Sequence, residues 1–162
     1  MYKEIEGDLI ELALSGHFDV IAHGCNCFCT MGAGIAPQMV KAFGCDKFKM
    51  EGIEYKGDIN KLGCIDYGIY EGFDLKSEYI LTIVNAYTQY GFGRNHSNGT
   101  QTPLDYEALV LSMRKINYQF KGMHIGLPQI GCGLAGGDWN RVKTIIQNEL
   151  KDCDVTIVIF KK

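Results

Sequence analysis

The chain has 162 residues, of which 46% are hydrophobic and 22% are charged, and its formal net charge is −3. This balance is ordinary for a globular protein, so we expect a single domain over residues 1–162. No apolar run approaches the roughly 18 residues of a membrane helix, and the first residues lack the pattern of a signal peptide. We therefore expect a cytoplasmic protein that has no membrane partner and is monomeric.

Charge and cysteine content narrow the classes of partner. A mildly acidic chain without a block of lysine and arginine is poorly suited to a nucleic acid polymer. The seven cysteines are an odd number in a chain without secretory features, so we expect free thiols. Cys25, Cys27 and Cys29 are separated by single residues, unlike the usual spacing of zinc ligands, and we expect neither a metal nor a cofactor. The 20 glycines still allow a small anionic ligand, because backbone N–H groups bind anions without a formal charge.

Short apolar runs alternate with amphipathic segments along the chain, as in α/β proteins. The predicted strands are Tyr2–Glu6, Phe18–His23, Cys64–Tyr70, Tyr79–Thr88, Met123–Pro128 and Val155–Phe160. Helices are predicted from about Ile35 to a C-terminal cap at Gly44, from a Thr102 N-cap to about Gln119, and from Trp139 to Leu150. Because several strands are almost continuously apolar, both faces of the sheet should be covered. We predict a three-layer α/β/α sandwich around a mixed, mostly parallel sheet of about six strands.

Two segments fall outside this minimal sandwich. Residues Cys45 to Lys61 mix charges with isolated aromatic residues, and we expect a short helix or hairpin over one edge of the sheet. Residues Tyr90 to Gln101 form a long loop, either a lid over a ligand or a surface loop. If it closes as a lid, Arg94 and His96 are placed to touch a phosphate.

Two glycine-rich turns each join a predicted strand to a helix. The first runs from His23 to Ala36 and the second from Pro128 to Trp139. A single turn of this kind is often only a tight turn, but two at matching strand ends favour a pocket for a diphosphate.

Several motifs in these turns resemble those of the macro domain family, which binds ADP-ribose in an α/β/α fold. Gly7-Asp8-Leu9, Gly32-Ala33-Gly34-Ile35-Ala36 and Gly131-Cys132-Gly133-Leu134 look like sequence elements of this family, and His23-Gly24-Cys25-Asn26 replaces its N-A-A-N run. The resemblance extends from Tyr2 to Phe160. Within the family, the chain is most similar to the yeast-type ADP-ribose 1″-phosphate phosphatases and the related terminal ADP-ribose protein glycohydrolases.

One departure separates these two branches. Glycohydrolases of this type use a lysine near the end of the fourth strand, where this chain reads Ile83-Val84-Asn85-Ala86-Tyr87. The acid that follows their second glycine-rich turn is also displaced, and here the first one is Asp138. The resemblance therefore favours the phosphatase branch.

The resemblance implies ligand contacts at both turns. Asp8 should accept a hydrogen bond from the adenine amino group, Phe160 should form a wall against adenine, and Asn26 should bind the distal ribose hydroxyls. The structural alternatives are a helix cap for Asp8, core packing for Phe160 and backbone hydrogen bonds for Asn26. The remaining expected ligand contacts are Leu9, Met31, Gly32, Ala33, Gly34, Ile35, Ala36, Ile130, Gly131, Cys132, Gly133 and Leu134.

Two side chains are candidates for catalysis. Asp138 would orient or deprotonate water, and His23 would protonate the leaving ribose oxygen, orient the phosphate or act as nucleophile. The structural alternatives are an N-cap for Asp138 and a satisfied buried histidine for His23. Cys132 lies where a thiol pKa can be lowered, but we interpret it as a small residue that lets the turn close.

The function implied is hydrolysis of ADP-ribose 1″-phosphate to ADP-ribose and inorganic phosphate. Two alternatives remain open: a binding module that recognises ADP-ribose without turnover, and a hydrolase that removes ADP-ribose from proteins.

Overall fold

The computed structural model describes residues 1–53, 55–73, 78–92 and 102–160. Within these ranges it contains six strands and four α-helices, which alternate except that two strands follow one another before the third helix. The strands are β1 (Tyr2–Gly7), β2 (Val20–Asn26), β3 (Ile65–Phe73), β4 (Glu78–Gln89), β5 (His124–Leu127) and β6 (Asp154–Phe160). The helices are α1 (Leu9–Leu14), α2 (Ala36–Phe43), α3 (Tyr106–Gln119) and α4 (Trp139–Glu149).

The strands form one sheet in the order β1-β6-β5-β2-β4-β3. Neighbouring strands are parallel except for β3 and β4, which form an antiparallel pair. The prediction of a mixed, mostly parallel sheet of about six strands inside an α/β sandwich is confirmed.

Two apolar cores lie on opposite faces of the sheet. The larger one joins the sheet to α3 and α4 through residues such as Leu109, Met113, Val142 and Ile146. The other joins it to α1 and α2 around Ile21, Met39 and Ile83. The side chains of β2 enter the two cores alternately, because successive side chains of a strand point to opposite faces of the sheet.

The predicted helices form, with two corrections. Gly44 ends α2 in the left-handed conformation at φ 64°, as expected. The expected cap at Thr102 is wrong, because Asp105 caps α3 by accepting a hydrogen bond from Ala108 N at 3.1 Å. Leu104 instead forms a bridge with Gln89 of β4, which holds the preceding residues out of the helix. The second correction is α1, a helix of six residues, which the sequence indicated only through the alternative role of Asp8 as a helix cap.

The segment predicted to cover an edge of the sheet contains two 3₁₀ turns, Cys45–Lys47 and Ile59–Lys61. Between them, the Phe48 ring lies against Gly68 of β3, where a Cβ atom would be 2.6 Å from the ring. Most of the predicted Tyr90–Gln101 loop, including Arg94 and His96, lies outside the described residues. Over the part of the chain that is described, no helix is both long and apolar enough to cross a bilayer.

Candidate functional site

The carboxyl ends of four neighbouring strands meet at one edge of the sheet. Gly7, the last residue of β1, pairs with Phe160, the last residue of β6, so Asp8 follows directly beside them. The two glycine-rich turns leave the ends of β2 and β5, which are neighbours in the sheet. In open α/β sheets, ligands bind at this edge. The tertiary structure therefore brings most of the expected ligand residues together.

The first turn is held in shape by the side chain of Asn26. Its Oδ1 accepts hydrogen bonds from Phe28 N at 3.0 Å and Thr30 N at 3.2 Å, and its Nδ2 donates to Thr30 O at 2.8 Å. These are three of the four hydrogen bonds that an asparagine amide can make. The backbone-bonding alternative therefore describes Asn26 in this structure, and its contact with ribose stays a prediction. Farther along the turn, Gly32, Ala33 and Gly34 are exposed.

The second turn is closed by its own backbone. Gly137 N donates to Gly131 O at 2.7 Å, and Gly131 has φ 72°, a conformation that favours glycine. Leu134 at its tip is 82% exposed, whereas Ile130 at its start is buried. The turn therefore presents backbone groups and one apolar side chain to solvent while its base belongs to the core.

The thiol of Cys132 lies inside this turn and is half-buried. It donates to Ile130 O at 3.3 Å. Burial raises the pKa of Cys132, and the charge of Asp138 raises it further. Both effects disfavour the thiolate at neutral pH, so the geometry supports a small packing residue rather than a nucleophile.

Asp138 ends the second turn and begins α4. Its Oδ1 accepts from Asn140 N at 3.0 Å, which is the predicted N-cap interaction. The Asp138 backbone N–H donates to the Tyr106 hydroxyl at 2.9 Å, and the Arg141 guanidinium lies 3.7 Å from the centre of the Tyr106 ring. Two neighbouring helices thus fix the position of Asp138, while its side chain stays exposed.

The opposite end of the site is formed by Asp8 and Phe160. Asp8 caps α1 by accepting from Glu11 N at 3.0 Å, as its structural alternative predicted. Phe160 is 62% exposed, so the core-packing alternative for this residue is wrong. A cleft of about 350 Å³ between α1 and α2 reaches Asp8, with Gln38 and Lys41 on its other wall.

Comparison with known proteins agrees with this arrangement. The model of the macro domain family matches residues 22–146. This chain belongs to the macro domain family. An uncharacterised 17.5 kDa protein from the tk-vs intergenic region of Enterobacteria phage T4 is 34% identical to it, over 96% of this chain and 94% of the phage protein.

Two solved structures show the same fold at low sequence identity. The macrodomain of Thermus aquaticus DarG is 19% identical, with a TM-score of 0.62, over 100% of this chain and 99% of that one. A Trypanosoma brucei macrodomain, solved in complex with ADP-ribose, is 13% identical, with a TM-score of 0.60, over 99% of this chain and 64% of that one.

His23 does not lie on the exposed surface of this macro domain. Its side chain is fully buried in β2, and its Nε2 lies 2.7 Å from Asn85 Oδ1. Burial lowers the pKa of His23 to about 4, although the hydrogen bond to Asn85 acts in the opposite direction. The satisfied buried histidine is therefore the interpretation that the geometry favours, and direct proton transfer by His23 stays a prediction without support from its position.

Sequence reasoning missed a buried polar network that continues from His23 across the sheet. Asn85 Nδ2 donates to Asp66 Oδ1 and to Cys45 O, both at 2.8 Å, and the Tyr87 hydroxyl donates to Asp66 Oδ2 at 2.5 Å. Burial raises the pKa of Asp66 above its usual range, while the hydrogen bonds from Tyr87 and Asn85 oppose the rise. The feature of the sequence that could have revealed this network is the presence of polar residues within the apolar run of β4.

The network ends beneath the first turn of the macro domain. Lys61 is buried, and its Nζ lies 3.5 Å from the sulfur of Cys29, which has a left-handed φ of 56°. The seven cysteines are free thiols. No three histidine, cysteine or acidic side chains among the described residues are grouped to hold a metal ion.

Proposed function

We propose that this macro domain binds ADP-ribose and hydrolyses the 1″-phosphate of ADP-ribose 1″-phosphate. The main observation in favour of ADP-ribose binding is the pair of glycine-rich turns at the adjacent carboxyl ends of β2 and β5. The exposed glycines Gly32, Gly34 and Gly133, together with the N-terminus of α2, suit a diphosphate. The relative from Trypanosoma brucei, solved in complex with ADP-ribose, supports the same ligand.

The expected contacts run along the carboxyl ends of the neighbouring strands β1, β6, β5 and β2. Asp8 and Phe160 lie together where the adenine would bind, and Phe160 offers an exposed aromatic face. The exposed Leu134 would cover the diphosphate from the second turn. These assignments follow from the resemblance together with the observed positions at the strand ends.

The proposed reaction depends on the exposed carboxylate of Asp138. Water attacks phosphorus, the bond between phosphorus and the 1″-oxygen breaks, and the leaving oxygen takes a proton from solvent to become the hydroxyl of ADP-ribose. Asp138 orients the water and accepts its proton while the backbone of the turns stabilises charge on the phosphoryl oxygens. Since Oδ1 is used by the helix cap, Oδ2 is the atom assigned to the water.

The test is release of inorganic phosphate from ADP-ribose 1″-phosphate by metal-stripped protein. Asp138→Asn should retain the cap, because aspartate and asparagine cap helices about equally well, and should lower kcat at least about 100-fold. Asp105→Asn is the matched control, since Asp105 caps the neighbouring helix α3. Phosphate release that is unchanged in Asp138→Asn would contradict the assignment of the base.

Recognition of ADP-ribose without turnover is the second candidate. It is favoured by the capping interaction of Asp138 and by the burial of His23, which leave Asp138 as the one exposed carboxylate within the two glycine-rich turns. Calorimetry with ADP-ribose separates the two. Binding without phosphate release would support a recognition module, and release of ADP-ribose from a modified protein would indicate a protein-directed hydrolase.

A further inference from the structure

The amine of Lys61 lies against a sulfur atom in the interior of the protein. Lys61 is 7% exposed, and its Nζ donates to Cys29 Sγ at 3.5 Å. Within the described ranges, no ion pair joins Lys61 to an acidic side chain. The charge of Lys61 acts on Asp66, but the oxygens of that carboxylate accept hydrogen bonds from Asn85 and Tyr87 instead. Buried lysines are rarely left without a paired carboxylate, so the contact with sulfur is unusual for a lysine that only stabilises the fold.

The backbone of Cys29 places a side chain where glycine would be less strained. Its φ is 56°, and among the described residues no other non-glycine residue has a positive φ. In this left-handed region a Cβ atom costs free energy that glycine avoids. The Cys29 sulfur lies 3.7 Å from the Tyr87 hydroxyl as well as beside the Lys61 amine. The first glycine-rich turn therefore holds a thiol against an amine at some cost in stability.

Cys29 is also the most accessible of the three cysteines at the start of this turn. It is 9% exposed, compared with 4% for Cys25 and 0% for Cys27. Burial raises the pKa of Cys25 well above its usual range and that of Cys27 to about 12, although the charge of Lys61 acts in the opposite direction on Cys27. Oxidation of a thiol by peroxide proceeds through the thiolate, so burial disfavours the reaction at these two neighbours.

We propose that Cys29 and Lys61 form a covalent sulfenamide bond when the protein is exposed to hydrogen peroxide. Peroxide oxidises the Cys29 thiol to a sulfenic acid and is itself reduced to water. The Lys61 ammonium releases one proton to solvent, and its nitrogen then attacks Sγ. The S–N bond forms while the S–O bond breaks, and the hydroxyl leaves as water with a second proton from nitrogen. The two atoms already lie 3.5 Å apart, close to the distance from which bound groups react.

The bond would join the first glycine-rich turn to the 3₁₀ turn Ile59–Lys61. Residues 29 and 61 are 32 positions apart, so the link closes a loop and lowers the entropy of the unfolded chain. We expect oxidation to raise the melting temperature by at least about 5 °C and a thiol reductant to reverse the rise. The inference does not depend on the proposed activity.

Mass spectrometry of peroxide-treated protein, digested without reductant, detects the bond directly. A peptide pair joined through Cys29 and Lys61 should weigh about 2 Da less than the sum of the two unmodified peptides, because two hydrogen atoms are lost. Cys29→Ser and Lys61→Met should each abolish the pair and the rise in melting temperature. Cys64→Ser is the matched control and should retain both, because it removes the thiol of a second lysine–cysteine contact, 3.4 Å from Lys115 Nζ and exposed.

Urea unfolding of the untreated variants establishes that each is folded before oxidation. Four results would overturn the proposal. The first is a Cys29 that stays unoxidised, and the second is a Cys29 that becomes a sulfinic acid or a disulfide while Lys61 is unmodified. The third is a link between Cys64 and Lys115 in place of the expected one, and the fourth is a joined pair that retains an oxygen atom.

Discussion

The buried imidazole of His23 is kept neutral by its surroundings. It lies within β2, between apolar layers, and its Nε2 is bonded to the Asn85 side-chain oxygen. The sulfur atoms of Cys25 and Cys45 lie 3.5 and 3.7 Å from the same nitrogen. Burial raises the pKa of both thiols, so neither offers His23 a negative charge at neutral pH.

A neutral buried histidine makes stability depend on pH. The pKa of His23 is about 4 in the folded protein, against about 6.5 when it is exposed. Between these values the unfolded chain binds a proton that the folded chain does not, so stability falls as pH decreases. The contribution of His23 to this loss is about 3 kcal/mol from pH 6.5 to pH 4, measurable by urea unfolding at several pH values.

The variant His23→Gln isolates this effect from other groups. Asp66 acts in the opposite sense, because its raised pKa makes the folded state bind a proton more readily than the unfolded state. Because Asp66 is present in both proteins, its contribution to the pH dependence cancels when the parent is compared with His23→Gln. If the parent and His23→Gln lose equal stability over this pH range, His23 is not the group responsible.

At the scale of elements, residues pack closely at the end of β2, where the first glycine-rich turn begins. Gly24 stands beside Thr88 of β4 and Ile130 at the start of the second turn. A Cβ atom at Gly24 would lie 2.8 Å from Thr88 Oγ1 and 3.2 Å from Ile130 Cγ2. The two glycine-rich turns approach each other at this point because position 24 has no side chain.

Gly24→Ala should therefore destabilise the protein by about 1–3 kcal/mol. The added Cβ atom would press against the buried, β-branched side chain of Thr88, which has little freedom to move. Gly32→Ala is the control, since a Cβ atom there meets nothing within 4 Å. Urea unfolding midpoints provide the measurement. The added substitution Thr88→Ala removes the contacting hydroxyl and should recover part of the loss, whereas a Gly24→Ala protein as stable as the parent would contradict the packing argument.

At the scale of the whole molecule, the proposed ligand would bind across four strands. Asp8, the two turns and Phe160 are contributed by distant parts of the chain, and a ligand that joins them stabilises only the folded state. At about 100 times its dissociation constant, ADP-ribose should add about 2.7 kcal/mol of stability. For a chain of this size, this corresponds to a rise in melting temperature of about 5–10 °C.

Differential scanning fluorimetry measures this shift, with adenosine as the control because it lacks the diphosphate. A rise with ADP-ribose alone supports contacts from the glycine-rich turns. Equal shifts with both compounds would place the recognition at the adenine end only, and an absent shift at saturating ADP-ribose would contradict binding at this edge.

Local sequence features determined most of the elements. The apolar runs indicated all six strands, and four apolar residues that recur at helical spacing along α3 and at its C-terminal cap are buried: Leu109, Met113, Ile116 and Phe120. Gly44 and Asp138 cap their helices as predicted. Such features act over a few residues, so they can be found without knowledge of the rest of the chain. The start of α3 was predicted incorrectly, since the bridge between Leu104 and Gln89 joins residues 15 apart.

The environment of each functional candidate was decided by tertiary structure. The same short-range patterns allowed His23 to be catalytic or buried, and Phe160 to be packed or exposed. Only the placement of β2 in the interior of the sheet buries His23 beside Asn85, and only the position of Phe160 at a strand end exposes its ring. Solvent access and the pKa depend on side chains brought from distant segments, whereas capping and strand formation depend on neighbours in the chain.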